Sequence, residues 1–199
     1  DRFLIMMRRQ GLECNLCFNK QDLADIGQQE CIEKIYKDSG CRILFVSAEK
    51  KEGIDQLAAV LHRKTTAVAG PSGVGKSSLV NCLQKGTQME TGAISEKIAR
   101  GKHTTRHSEL IAVSDNTYIM DTPGFSSLSL FDIEKEELKA YYPEFELYET
   151  QCKFMTCAHI HEPVCGVREA LGENHISKVR YENYVTFYEE LKEKEKRKY

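Results

Sequence analysis

The sequence predicts an α/β protein with a mostly parallel sheet, followed by a smaller helical unit. Three observations point there. Apolar runs of strand length alternate with amphipathic stretches of helical spacing over the first two thirds of the chain. A glycine-rich loop joins one of those runs directly to a helix. In the last third the alternation stops, and a Cys/His segment leads into a long amphipathic stretch.

The elements follow in order. Gly11 to Phe18 is largely apolar and ends in a polar cluster, as a buried strand does. Leu23 to Ser39 carries Ile32, Ile35 and Tyr36 at helical spacing, and Gly40 closes that helix. Cys41 to Val46 is a second strand, followed by Ser47-Ala48. Ile54, Leu57, Val60 and Leu61 mark one face of a second helix. Thr65 to Ala69 is a third strand that runs into the glycine-rich loop, and Leu79, Val80 and Leu83 continue as a helix. Glu109 to Val113 and Thr117 to Met120 are strands joined by the turn Ser114-Asp115-Asn116. Glu134 to Tyr142 reads as a short helix stopped by Pro143. Ile176 to Lys198 reads as a long helix with Tyr184, Phe187, Tyr188 and Leu191 on one face and a solvated, charge-rich end. No internal repeat is found.

Composition excludes several classes. With 28 Lys+Arg against 30 Asp+Glu, the formal net charge of −2 rules out a histone-like polycation. Contact with nucleic acid would need a local patch. One exists: Lys97, Arg100, Lys102 and Arg106 lie between Lys97 and His107 with no acid among them. At 41% hydrophobic and 29% charged, the chain has the means to bury a core, against wholesale disorder. No apolar run approaches the ~20 residues of a membrane span. Phe3 to Met7 lacks the layout of a signal peptide. A chain opening on Asp1 reads as a piece of something longer. Of the eight cysteines, five are scattered (Cys14, Cys17, Cys31, Cys41, Cys82) and three cluster beside histidines, which favours a reducing, cytoplasmic compartment over a disulfide framework. Cys14 and Cys17 fall inside the first strand and are expected in the core.

Gly70-Pro71-Ser72-Gly73-Val74-Gly75-Lys76-Ser77 fits the pattern G-x-x-x-x-G-K-[ST], with a strand before it and a helix after. Glycines let successive backbone N–H groups converge on phosphate oxygens where a side chain would block approach. Lys76 would bridge the β- and γ-phosphates, and the Ser77 hydroxyl would ligate Mg²⁺. The positive end of the helix beginning near Lys76 faces the same anion.

The base is read by loops that come earlier. Asn19-Lys20-Gln21-Asp22 ends the first strand. The two carboxylate oxygens of Asp22 match the N1–H and N2–H₂ donors of guanine, whereas adenine would leave them unpaired. Asn19 would tie this loop to the base, and the Lys20 stem would lie along the purine. A helix cap at Asp22 is the plainer alternative. Ser47-Ala48 supplies a second loop, with the Ala48 N–H aimed at the guanine O6. Asp121-Thr122-Pro123-Gly124 follows a strand and suits an Asp that holds Mg²⁺ through water and a Gly N–H at the γ-phosphate. Upstream, Gly101-Lys102-His103-Thr104-Thr105-Arg106 offers a threonine hydroxyl, Thr104 or Thr105, to the same metal. A Ras-like enzyme runs phosphate loop, threonine switch, D-x-x-G, N-K-x-D, S-A. Here N-K-x-D and S-A come first, so the chain looks like a circularly permuted P-loop GTPase. Phe125 stands where Ras-like enzymes place a water-orienting Gln, so intrinsic hydrolysis should be slow. His103 is the nearest substitute in sequence; its other reading is membership of the basic patch.

Cys152, Cys157, His159 and Cys165 offer three thiolates and an imidazole within fourteen residues, the donor set of a closed, structural Zn²⁺ site. His161 is a competing imidazole. A disulfide among the three cysteines, or free buried thiols, are the alternatives.

Together these residues resemble the bacterial ribosome small-subunit-dependent GTPase A family (RsgA, also called YjeQ). The resemblance rests on Asn19-Lys20-Gln21-Asp22, Gly70 to Ser78, Thr91 to Ser95, Arg100 to Arg106, Asp121 to Phe125 and the zinc spacing, and it covers essentially the whole chain. It implies a permuted GTPase domain over residues 1–130 and a C-terminal helical zinc-binding subdomain over 131–199. It further implies a cytoplasmic, monomeric enzyme that hydrolyses GTP to GDP, uses Mg²⁺ with the nucleotide and one structural zinc, binds no membrane, and acts in late maturation of the small (30S) ribosomal subunit and its 16S rRNA. A zinc-containing RNA-binding module with negligible turnover is the alternative. Family members carry an OB-fold domain and a further strand ahead of the segment matching Asp1 to Arg9. The sequence holds neither, so weak ribosome binding is expected even where GTP binds.

Overall fold

The computed structural model describes residues 1–84, 109–121 and 133–197, with the backbone alone at Glu109 and Asp121. They form two compact units. The first takes Asp1–Leu16, Ile26–Ile43 and Leu128–Tyr199; the second takes Cys17–Asp25 and Leu44–Ser127.

In the second unit, β3 (Thr65–Val68) runs parallel to β5 (Thr117–Asp121), and β4 (Glu109–Ser114) returns antiparallel on the other side of β5. The turn between β4 and β5 needs Asn116 at φ +53°, a left-handed conformation that Asn tolerates. Buried Thr117 fixes the neighbouring chain, its Oγ1 accepting the Arg63 N–H at 3.0 Å. A separate two-stranded sheet pairs β1 (Asn15–Phe18) with β2 (Arg42–Phe45). Helix α3 (Ile54–Leu61) buries Leu57, Val60 and Leu61, the face its spacing predicts. With Leu44, Val46, Ile111, Val113 and Ile119, and with Val80 and Leu83 of α4 (Lys76–Leu83), they form this unit's core. Each such side chain contributes about 1.5–3 kcal/mol by leaving water. Gly53 enters α3 at φ +70°, where a Cβ would stand 2.5 Å from the Phe45 carbonyl oxygen, so no other residue fits that turn.

The first unit is helical. Helix α1 (Arg2–Arg9) covers the segment that the sequence left unassigned; Leu4 and Ile5 are its buried residues. Helix α2 spans Ile26–Tyr36, shorter than the periodicity suggests, because a 3₁₀ turn (Gln21–Leu23) occupies its expected start. A second 3₁₀ turn (Leu138–Tyr141) leads to Pro143, which opens α5 (Pro143–Glu149) rather than ending a helix. A proline at the first helical position loses no hydrogen bond. Helices α6 (Gly166–Gly172) and α7 (Lys178–Lys196) complete the unit, with the Ser177 side chain accepting the Arg180 N–H at the start of α7. Tyr142 and Phe145 stack at 5.2 Å, and Tyr184 meets both edge-on at 5.2 and 5.0 Å. Around them pack Ile5, Leu138, Val167, Ile176, Phe187 and Leu191. The N-terminal segment belongs here because of one buried ion cluster. The Arg180 guanidinium, 2% exposed, pairs with both oxygens of Glu144 and with the Asp1 carboxylate at 2.6 Å. Asn183 donates to the other Asp1 oxygen at 2.6 Å.

The first strand starts at Asn15, not Gly11, so Cys14 precedes it. Cys17 lies within it but is exposed, which corrects its placement in the core.

Removing one partner from a buried ion pair strands the other charge, at a cost of about 3–5 kcal/mol. Arg180→Met is expected to lower the urea midpoint of the first unit by a corresponding amount, followed by tyrosine fluorescence. A midpoint matching the parent chain would show that the cluster does not hold α1, α5 and α7 together.

Candidate functional site

The phosphate loop leaves β3 at Val68 and enters α4 at Lys76. Gly73 and Gly75 take φ +80° and +91°, conformations closed to other residues without strain. The Lys76 ammonium lies over its own loop, donating to the carbonyls of Gly70 and Pro71 at 2.8 Å each. Ser77 and Ser78 follow in the first turn of α4 and are half-buried. In register, Val68 stands beside Asp121, so the strand end that opens the phosphate loop and the strand end that carries Asp121 are neighbours. The side chain of Asp121, together with His103, Thr104, Thr105 and Gly124, lies outside the described residues.

The two base loops and the phosphate loop meet at one side chain. Asn19 donates from Nδ2 to the Val74 carbonyl at 2.9 Å and accepts the Ala48 N–H at Oδ1 at 3.1 Å. The sequence expected that N–H to be aimed at a base; the structure gives it to Asn19. A Cβ on Gly75 would overlap Asn19 Nδ2, so the junction needs a glycine at this position. Lys20 sits at φ +69° and reaches from its Nζ to the Gly73 carbonyl at 2.9 Å. Its stem thus spans from the base loop to the phosphate loop. Gln21 donates to the carboxylate of Glu52 at 3.2 Å and, through its backbone, to the Val46 carbonyl at 3.0 Å. Asp22 is exposed inside the 3₁₀ turn and does not cap α2, which begins at Ile26. Ser47 is fully buried, its Oγ accepting the Lys50 N–H at 2.9 Å. Sequence reasoning missed Cys82 of α4, whose thiol donates to the Ala48 carbonyl at 3.4 Å and so supports the second base loop from below. It was classed only as a scattered cysteine, and no motif marks it.

The Cys/His cluster forms in the first unit. One ligand atom from each of Cys152, Cys157, His159 and Cys165 falls within 4.8 Å of the others. Cys152 Sγ and Cys165 Sγ are 3.9 Å apart, and His159 Nδ1 stands 3.6 and 3.4 Å from them. A Zn²⁺ tetrahedron with ~2.3 Å metal–sulfur bonds has edges of about 3.5–3.8 Å; Cys152, His159 and Cys165 stand close to that spacing, and the full set, within 4.8 Å, needs to draw in by about 1 Å at most to hold the ion. The same 3.9 Å excludes a disulfide between those two sulfurs, and all three cysteines are free. His161 is exposed and outside the cluster. Burial holds the His159 imidazole below its usual range, against the pull of Glu149, which keeps it neutral as a ligand must be. Burial pushes the Cys157 thiol up to about 12, a penalty that a bound dication reverses by holding the thiolate.

The loop carrying these ligands is organised by an acid that the sequence did not single out. Glu162 accepts the backbone N–H groups of Ala158 at 2.6 Å and of Ile160 and His161 at 3.0 Å. Tyr181 and Tyr184 donate to the carbonyls of His159 and Ala158 at 2.6 and 2.7 Å. Gly166 then brings the chain against Tyr148, where any Cβ would strike the Tyr148 carbonyl.

Two outcomes follow from this geometry. Elemental analysis is expected to find about one zinc per chain. Cys157→Ser should abolish it and raise amide exchange between residues 150 and 166; a metal-free chain with that loop equally protected would contradict the assignment. Gly75→Ala should break the Asn19–Val74 contact, which appears as loss of the Asn19 side-chain amide shift by NMR. Retention of that shift would remove Gly75 from the junction.

Comparison with known proteins places these features in a family. The model of the RsgA GTPase family matches residues 1–131. The small ribosomal subunit biogenesis GTPase RsgA of Agathobacter rectalis is 58% identical over 98% of this chain, and that of Clostridium perfringens (strain SM101 / Type A) is 44% identical over 96%. The chain spans 65% and 66% of those relatives' lengths. Among solved structures, YjeQ from Thermotoga maritima superposes with a TM-score of 0.78 at 38% identity, over 96% of this chain and 64% of that one. YloQ, described as a circularly permuted GTPase, gives 0.74 at 31%, over 97% and 62%. The permuted order read from the sequence agrees with the description of YloQ as circularly permuted, and the chain belongs to the RsgA GTPase family.

Proposed function

We propose that this chain binds guanine nucleotide, hydrolyses GTP to GDP and phosphate, and acts with the small ribosomal subunit late in its maturation. The observation that carries the reading is the Asn19 junction, which joins two base loops to a phosphate loop in the permuted order. The printed name of the relatives, small ribosomal subunit biogenesis GTPase, supports the partner.

The roles follow from chemistry. Asp22, exposed at the rim of the base loop, takes the two guanine donors. The N–H groups of Gly70 to Ser78 take the phosphates, and Lys76 exchanges two carbonyls for phosphate oxygens of full charge. Ser77, Thr104 or Thr105, and Asp121 would hold Mg²⁺, which when bound neutralises charge between the β- and γ-phosphates. The Gly124 N–H meets the γ-phosphate, and His103 is the candidate for orienting water, a role the apolar Phe125 cannot take. In this reading residues 1–130 carry the nucleotide chemistry and residues 131–199 the zinc. The protein works as a cytoplasmic monomer, with 16S rRNA as the nucleic-acid partner. Among the described residues no helix is long and apolar enough to cross a membrane.

Single-turnover phosphate release, with and without small subunits, tests the reading on this chain beside a full-length relative. Stimulated release that Lys76→Ala abolishes is the expected result. Binding of subunits with no release from either protein would favour an RNA-binding module. Guanine selection is tested separately: Asp22→Asn should shift preference toward xanthine nucleotides, since the amide now donates to the C2 carbonyl. A retained preference for GTP over XTP, by calorimetry, would remove Asp22 from base reading.

A further inference from the structure

The four zinc-ligand side chains leave one nitrogen unaccounted for. His159 is fully buried, so neither ring nitrogen reaches water. Its Nδ1 faces the sulfurs of Cys152 and Cys165 at 3.6 and 3.4 Å. Its Nε2 lies 3.2 Å from Oε1 of Glu149, the last residue of α5. We propose that Glu149 is a positioning residue for the metal, accepting the Nε2 hydrogen of His159 and thereby fixing Nδ1 as the ligand nitrogen. The proposal rests on the reading of Cys152, Cys157, His159 and Cys165 as zinc ligands.

Several features make the orientation specific. A neutral imidazole carries one proton, and the atom that holds it cannot bind a metal. A carboxylate at Nε2 keeps the proton there and frees the Nδ1 lone pair for the cation. It also raises the basicity of that lone pair, as carboxylates beside metal-bound histidines do. The ring has little freedom to turn over: Phe145 packs edge-on at 5.7 Å, and the Tyr181 hydroxyl holds the His159 carbonyl at 2.6 Å. The backbone itself sits at φ +60°, a left-handed conformation that points the side chain inward from an irregular loop.

Charge explains the second neighbour. Three thiolates and one dication leave the centre at −1, so a bare carboxylate next to the ring would add to an existing excess. Lys139 of the second 3₁₀ turn stands 3.9 Å from the same Glu149 oxygen and donates to the Cys157 carbonyl at 3.2 Å. It offsets the carboxylate and at the same time ties down a ligand residue.

The test measures zinc release to a chromophoric chelator from the intact chain, for the parent, Glu149→Ala and Glu149→Gln. Glu149 is partly exposed, so neither substitution opens a cavity in the core. Loss of such a partner typically costs 10–100-fold in metal affinity, and Glu149→Ala is expected to release zinc faster by about that factor. Glu149→Gln, which keeps an acceptor oxygen, should recover part of the loss. With ¹¹³Cd in place of zinc and ¹⁵N-labelled histidine, metal coupling should appear at Nδ1 of His159 in the parent chain. Release from Glu149→Ala at the parent rate, or coupling at Nε2, would overturn the proposal. The zinc reading fails separately: a parent chain that carries no zinc refutes both. Zinc that is lost in Cys157→Ser but unaffected by Glu149→Ala refutes the role of Glu149 alone.

Discussion

Two hydrogen bonds from one amide hold the proposed nucleotide site in shape. Asn19 gives its N–H to the Val74 carbonyl and takes the N–H of Ala48 on its oxygen, so three loops share one planar group. Each loop alone is short and glycine- or polar-rich, with little apolar surface to fix it. Lys20 adds a second strut to Gly73, and Gly75 supplies the bare backbone that lets Asn19 approach. The junction also explains why permutation is tolerated. Asn19 and Val74 are 55 positions apart, and their contact depends on strand ends lying together, not on which motif is translated first.

The helical unit obeys a different constraint. Its zinc-ligand loop has few apolar residues turned inward; Phe154, Met155 and Val164 are all exposed. Order there comes instead from directed polar contacts, three backbone N–H groups on Glu162 and two tyrosine hydroxyls on carbonyls. The tyrosine contacts are worth about 0.5–1.5 kcal/mol each, and those to the Glu162 carboxylate about 1.5–3 kcal/mol each. A metal held by the four ligands of the proposed site would join them into one rigid centre and add to that order.

Period-3.6 burial in α3, the Cys3His spacing and the strand–glycine loop–helix sequence were legible because each is a local pattern set by covalent geometry. Other features were not. Helix α1 arises from an unbroken apolar run, Phe3 to Met7, which shows no period until its partners are known. Pro143 was read as a stop when it was a start, since proline satisfies both ends of a helix boundary. Cys17 was placed inside because a cysteine in an apolar strand usually packs; here its face of the strand is exposed. The Arg180 cluster joins residues 36 and 179 positions apart, and Glu149 reaches His159 across ten. No spacing rule announces such pairs, because only tertiary packing brings them together. Asn19 stands between these cases: its motif was readable, but its partner Val74 was not.

The central claim is that the Asn19 amide couples base reading to phosphate binding. Calorimetric titration of GDP into Asn19→Asp isolates half of that coupling. The acceptor toward Ala48 survives, while the donor to Val74 is replaced by an oxygen facing an oxygen. The bond is half-buried, so its loss costs about 1–2 kcal/mol, and GDP affinity is expected to fall roughly 5–30-fold. A GDP affinity within twofold of the parent chain would contradict the account.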